Sequence, residues 1–220
     1  MEGMKRAGLY ILLALCLLPG FVSCSKAEPT ILYGFIDLVY YAGKEQPEEH
    51  YSFFILPEDD DGIENLSELY LYHDREGLRW LINSDEWVQH EEDGKTWVGS
   101  RAITMPEGVP LPRGVFRAVL VNKGGEQTER NFTYDGPEDP RHPFPFLSIS
   151  NGIYRIDSTY PVNHLIGYDQ EGKAVQTVKL NDIQGGVREL RFSNNVRAAA
   201  LWAEDAEYHT SALTEAAALR

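Results

Sequence analysis

Short runs of alternating β-branched and aromatic residues, each soon closed by glycine or proline, leave this chain few folds. The first runs from Ile31 to Tyr41. Ile31, Tyr33, Phe35, Val39 and Tyr41 fall on one parity, and Leu32, Ile36, Leu38 and Tyr40 on the other. Period-two runs rich in such residues and punctuated by turn formers are strands. Further runs cover 51–56 (ended by Pro57), 69–73, 78–82, 86–90, 96–105, 115–122 and 127–134. Turn signals recur at Asp74-Arg75-Glu76-Gly77, Asp93-Gly94, Pro106-Glu107-Gly108 and Gly124-Gly125. Strands spaced about 8–12 residues apart predict an all-β sandwich.

The predicted sandwich covers 30–135. Residues 136–146 follow as a linker, because Pro137, Pro140, Pro143 and Pro145 lack the N–H that a sheet ladder needs and favour stiff extended chain. The rival reading is a long crossover inside one larger sandwich. Beyond it, 147–203 reads as a smaller β unit with strands at 153–157, 163–168, 174–180, 187–192 and 198–203. A core this small is marginal alone, so the unit is expected to pack on the first. Tyr168-Asp169-Gln170-Glu171-Gly172 echoes the turn ending at Gly77, a slight sign of duplication. The tail, 204–220, is Ala-rich, with Leu213, Ala216, Ala217 and Leu219 at helical spacing, and reads as a short terminal helix.

The stretch Leu111 to Glu126 resembles the penultimate strand and last turn of immunoglobulin-like and fibronectin type III-like sandwiches. Pro112-Arg113-Gly114 leads into Phe116, and Asn122-Lys123-Gly124-Gly125 closes the strand. Phe116 stands where that family commonly has a tyrosine. The resemblance implies an immunoglobulin-like β-sandwich followed by the smaller β unit, and no activity.

The N-terminus reads as an export signal. Lys5 and Arg6 precede an apolar run from Leu9 to Leu18, too short to cross a bilayer comfortably. Val22-Ser23-Cys24 then resembles the lipobox of bacterial lipoproteins, in which a small residue precedes the cysteine that becomes the acylated N-terminus. The resemblance implies a signal peptide at 1–23, acyl chains such as palmitate on Cys24, a tether at 24–29 and a membrane-anchored envelope location. In diderm bacteria Ser25 would imply outer-membrane sorting. Removal of Cys16 with the signal would leave Cys24 as the sole thiol, which excludes an intramolecular disulfide.

A net charge of −14 argues against nucleic acid, which calls for basic stripes. The partners left are the membrane, through Cys24, and an envelope or extracellular protein or glycan. Pro57 to Gly62 with Glu68 partly matches a calcium loop: Asp59, Asp61 and Glu68 fall at ligand positions, while Pro57 occupies the first. Calcium is the cation such a loop would take; otherwise it is a solvated acidic turn and no cofactor is implied. His90-Glu91-Glu92-Asp93-Gly94 lacks the second histidine of a zinc-protease motif. Trp80 is in phase with Leu78 and Ile82 and reads as core. Trp87 and Trp97 are candidates either for core or for an exposed binding patch. The chain therefore reads as a non-catalytic binding or assembly protein. The alternative is an envelope hydrolase or metal-dependent enzyme using Asp59, Asp61, His73 and His90.

Overall fold

The computed structural model describes residues 27–219. The expected signal peptide, Cys24 and the start of the expected tether lie outside the described residues. Within them the chain is all-β: sixteen strands and two short 3-10 turns.

The first half forms two facing layers. One is β1 (Thr30–Tyr41), β2 (Glu48–Glu58), β6 (Lys95–Ile103) and β5 (Val88–Glu92), antiparallel and in that order. The other has β3 (Leu66–His73), β4 (Leu78–Asn83), β7 (Gly114–Asn122) and β8 (Gln127–Tyr134), ordered β4-β3-β7-β8. Alternation decides which residues face inward. Ile36, Leu38 and Tyr40 of β1 meet Leu69, Leu71 and Phe116 of the opposite layer in one core. Tyr51 packs edge-on against Phe116 at 5.4 Å and Tyr134 at 5.1 Å, and its hydroxyl donates to the Pro112 carbonyl at 2.6 Å. Phe132 crosses over β1 at Gly34, where a Cβ would stand 2.7 Å from its ring. Any larger residue there would push the layers apart.

The second half repeats the plan on a smaller scale. Strands β9 (Phe146–Ser150), β10 (Ile153–Asp157) and β13 (Gln184–Gly186) form a three-stranded sheet. It shares a core with β11 (Val162–Tyr168), β12 (Ala174–Lys179) and β14 (Ala198–Asp205), built on Leu147, Tyr154, Ile156, Leu165 and Leu201. Strand β15 (Thr210–Leu213) pairs antiparallel with β14 and parallel with β1, Leu38 to Tyr41 lying beside Thr210 to Leu213. One sheet, β12-β11-β14-β15-β1-β2-β6-β5, therefore runs through both halves, and β16 (Ala217–Ala218) adds to β14.

Four expectations are corrected. The C-terminal helical tail is instead the end of β14, then β15 and β16. One of its alanines serves close packing: Ala212 is fully buried against the first core, beside Ala203 of β14. A short helix in water gains little, whereas β1 and β14 offer ladders that satisfy the backbone. Residues 187–190 form a 3-10 turn, with Arg191 in the left-handed region, rather than a strand. Strand β2 passes through Pro57, which faces the β1 bulge between Ile31 and Tyr33, where ladder hydrogen bonds are already interrupted. A strand unforeseen behind the prolines, β9, begins at Phe146.

Candidate functional site

The residues of the hydrolase alternative do not meet. Asp59 closes its own loop: its carboxylate accepts from the Asp61 N–H at 2.9 Å and from Asn65 Nδ2 at 3.1 Å. Glu68 sits on β3 and accepts from the Tyr70 hydroxyl at 2.8 Å. His73 lies at the other end of β3, about 23 Å along the strand from its first residue. It is 1% exposed, packed on Phe116, and its Nε2 is 3.0 Å from the Arg113 carbonyl oxygen. His90 is exposed on edge strand β5. Among the described residues no three acidic, histidine or cysteine side chains gather as they would around a metal.

The tryptophans divide. Trp80 and Trp87 pack against the first core, and Trp80 donates Nε1–H to the Thr104 carbonyl at 2.9 Å. Trp97 lies on the opposite side of β6 from the buried Val98, on the outer face of the long sheet. There Phe35 stacks on Phe54 at 5.8 Å and tilts against Trp97 at 5.7 Å, and the Arg101 guanidinium lies 5.8 Å from the Phe54 ring. Strand register puts Phe35 opposite Phe54, Phe54 opposite Gly99, and Gly99 opposite Val88. Tyr33 and Phe35 are 60% and 37% exposed, and Val88 is also exposed. The result is an aromatic row across three strands, flanked by Val88 on β5, with Tyr33 and Phe35 exposed, Trp97 half-buried and Phe54 buried between them. Its signal was present in the sequence: residues 31–41 are apolar on both parities, whereas an antiparallel strand with one wet face should alternate cleanly.

A second feature lies at the junction of the two halves. A cleft of about 650 Å³ opens between the β1–β2 loop, the β6–β7 loop, the proline-rich segment and Tyr160. Tyr40, Phe144 and Tyr160 are among its apolar lining, and Glu45, Glu48 and Glu107 among its charged lining. Beside it Arg113 Nη2 meets Glu49 Oε1 at 2.8 Å, with side chains 12% and 15% exposed. Glu49 also accepts from the Leu111 N–H at 2.8 Å. Burial pulls the Arg113 guanidinium down, but Glu49 and the neighbouring tyrosines more than reverse this. Burial raises the hydroxyls of Tyr40 and Tyr51 well above the ordinary tyrosine range, and that of Tyr160 to about 12. All three stay protonated at neutral pH.

His142, in the proline-rich segment, bridges Thr159 Oγ1 at Nδ1 and Asp205 Oδ2 at Nε2, both at 2.9 Å. Tyr160 covers the imidazole at 4.4 Å, and Asp205 also caps the β14–β15 turn through the Glu207 N–H. With Arg141 lying 3.8 Å from the Tyr208 ring centroid, this is a brace fixing the segment to that turn. The hydrogen bond from His142 is the main cause holding the Asp205 carboxyl below its ordinary range, against an opposing effect of burial. A carboxyl depressed in the folded state adds stability above its unfolded value of about 3.9, and that stability is lost as pH falls through the folded value. His142→Ala should therefore move the acid limb of unfolding, followed by tryptophan fluorescence, toward higher pH. Limbs that superimpose after scaling for stability would remove the brace from consideration.

No family model matches this sequence, and no curated protein matches it. Among solved structures the chain is similar to one described as dimeric latent PorU from Porphyromonas gingivalis. The identity is 12% and the TM-score 0.35, covering 91% of this chain and 21% of that one. The chain thus spans about a fifth of that protein's length.

Proposed function

We propose that this is a lipid-anchored, non-catalytic binding protein of the cell envelope. It is held through acylated Cys24 and engages a glycan or protein with the outer face of its long sheet. The observation that carries this reading is the row of exposed Tyr33 and Phe35 with half-buried Trp97 beside them, aromatic surface on the outer sheet face. Exposed aromatic clusters are common anchors of binding surfaces. The separation of Asp59, His73 and His90 favours binding over the hydrolase alternative, and the reading invokes no cofactor.

The first sandwich is read as immunoglobulin-like. Strand orders β1-β2-β6-β5 and β4-β3-β7-β8 correspond to strands A-B-E-D and C′-C-F-G of that architecture. Phe116 leaves no corner hydroxyl, and Tyr51 supplies an equivalent bond to the Pro112 carbonyl from the facing layer.

The test is binding of the full chain to intact envelopes and to an immobilised glycan set. The double variant Tyr33→Ala with Trp97→Ala should lose at least tenfold in affinity, since central aromatic anchors contribute about 2 kcal/mol or more. Unchanged binding with an unchanged melting temperature would defeat this reading.

A further inference from the structure

The junction cleft stands apart from the aromatic row and has its own chemistry. We propose that it receives an arginine or lysine side chain presented on a peptide segment of a partner protein.

Charge is the first ground. Glu45 and Glu107 are exposed on two of the loops that line the cleft, and Glu48 is exposed at the start of β2. Lys44 is the one lysine or arginine in the lining, and Glu49, also in the lining, is already paired with Arg113. In a chain of net charge −14, this field rejects anions and draws cations.

The floor gives the second ground. Phe144, half-buried in the lining, offers ring surface, which attracts an ammonium or guanidinium group; the Tyr160 ring beside it is taken up by His142. Tyr40, also in the lining, is only 5% exposed, and its hydroxyl makes no hydrogen bond, with the Glu49 carboxylate acting on it from nearby. A buried polar group without a partner is costly, and the N–H of an incoming cation would supply one.

Shape and placement decide between a peptide and a small free amine. A volume of about 650 Å³ exceeds what one alkylammonium group fills and suits a side chain with its flanking backbone. Pro47, Pro106, Pro110 and Pro140 stiffen the walls, so little freedom is lost on binding. The cleft also lies at the far end of β1, about 35 Å from Thr30, so it faces away from the N-terminal end of the body.

The test uses the full chain in detergent and a fluorescent nonapeptide with a central Arg-Lys pair. Its controls are the same peptide with norleucine at both positions, and spermidine. Saturable binding of the basic peptide is expected, at least tenfold tighter than the norleucine peptide and weakened by salt. The triple variant Glu45→Gln, Glu48→Gln, Glu107→Gln should lose at least tenfold with its melting temperature intact, because all three groups are exposed. Tyr33→Ala with Trp97→Ala should leave peptide affinity unchanged, so this site and the sheet face fail or stand separately. Equal binding of the norleucine peptide, spermidine binding as tight as the peptide, an unaffected triple variant, or no saturable binding of the basic peptide would each overturn the proposal.

Discussion

Arg113→Ala should cost about 3–5 kcal/mol, since removing one partner of a buried ion pair leaves the other charge uncompensated. Glu49 and Arg113 lie 64 residues apart in sequence and meet where the two layers of the first sandwich close. Arg113 also donates to the Leu111 carbonyl at 2.6 Å and to the Pro137 carbonyl at 3.3 Å, and lies over the Tyr134 ring at 5.5 Å. It thereby ties the start of β7 to the start of the proline-rich segment. A domain's whole stability is roughly 5–15 kcal/mol, so the variant should unfold near ambient temperature or melt roughly 10 °C lower. Glu49→Gln should cost less, because an amide oxygen still accepts from Leu111. Replacing both residues, Glu49→Leu with Arg113→Met, should recover much of the loss, as apolar pairs of similar volume often match buried ion pairs. Urea unfolding of the three variants measures this. A loss below about 1 kcal/mol in Arg113→Ala would show that the pair is as dispensable as an exposed one.

That pair marks where legibility in the sequence ends. The strands of the first half could be read because each carries its own period-two signal, and a strand needs no distant partner to be recognised. Trp80 could be assigned to the core because Leu78 and Ile82 share its parity. The partners of Glu49 and His142 could not be read, because no local pattern links them to Arg113 and Asp205. The tail failed for a related reason. Leu213, Ala216, Ala217 and Leu219 do have helical spacing, but distant ladders decide their conformation: β1, some 170 residues upstream, pairs in parallel with Thr210 to Leu213, and β14 pairs with Ala217 and Ala218. Residues 187–192 failed locally: Gly185-Gly186 ends β13, and the chain turns at once into the 3-10 turn. The cleft was illegible because it is assembled from loops whose sequences say only that they turn. Asp59 was ambiguous because an acidic run looks the same whether its carboxylates face a cation or hold a loop; in the fold its carboxylate accepts from Asn65.

The largest effect is expected from losing Cys24, and the geometry makes it all-or-none. The Asn122 side chain donates to the Ala27 carbonyl at 3.1 Å, so the folded body begins three residues after the proposed acyl site. Three residues span at most about 11 Å. The same Asn122 side chain lies 3.5 Å from Asp59, which places the Asp59-Asp60-Asp61 loop at the end of the body nearest the anchor. Basic segments hold proteins to anionic lipid by about 1 kcal/mol per charge, and an acidic loop is repelled instead. The acidic loop supplies no electrostatic second signal, so on the proposed reading attachment would rest on the acyl chains, several of which are needed for firm anchoring. Wild-type protein should pellet with membranes at any salt concentration, and its N-terminal peptide should carry the mass of the acyl groups. Cys24→Ala removes the acyl site but can also leave the leader uncut, so a second variant is required, with an ordinary cleavable secretory signal directly before Ser25. That variant should be wholly in the soluble fraction, with the melting temperature of the wild-type body. If it still sediments with membranes, the anchor is not Cys24, and some other surface of this acidic protein holds it there.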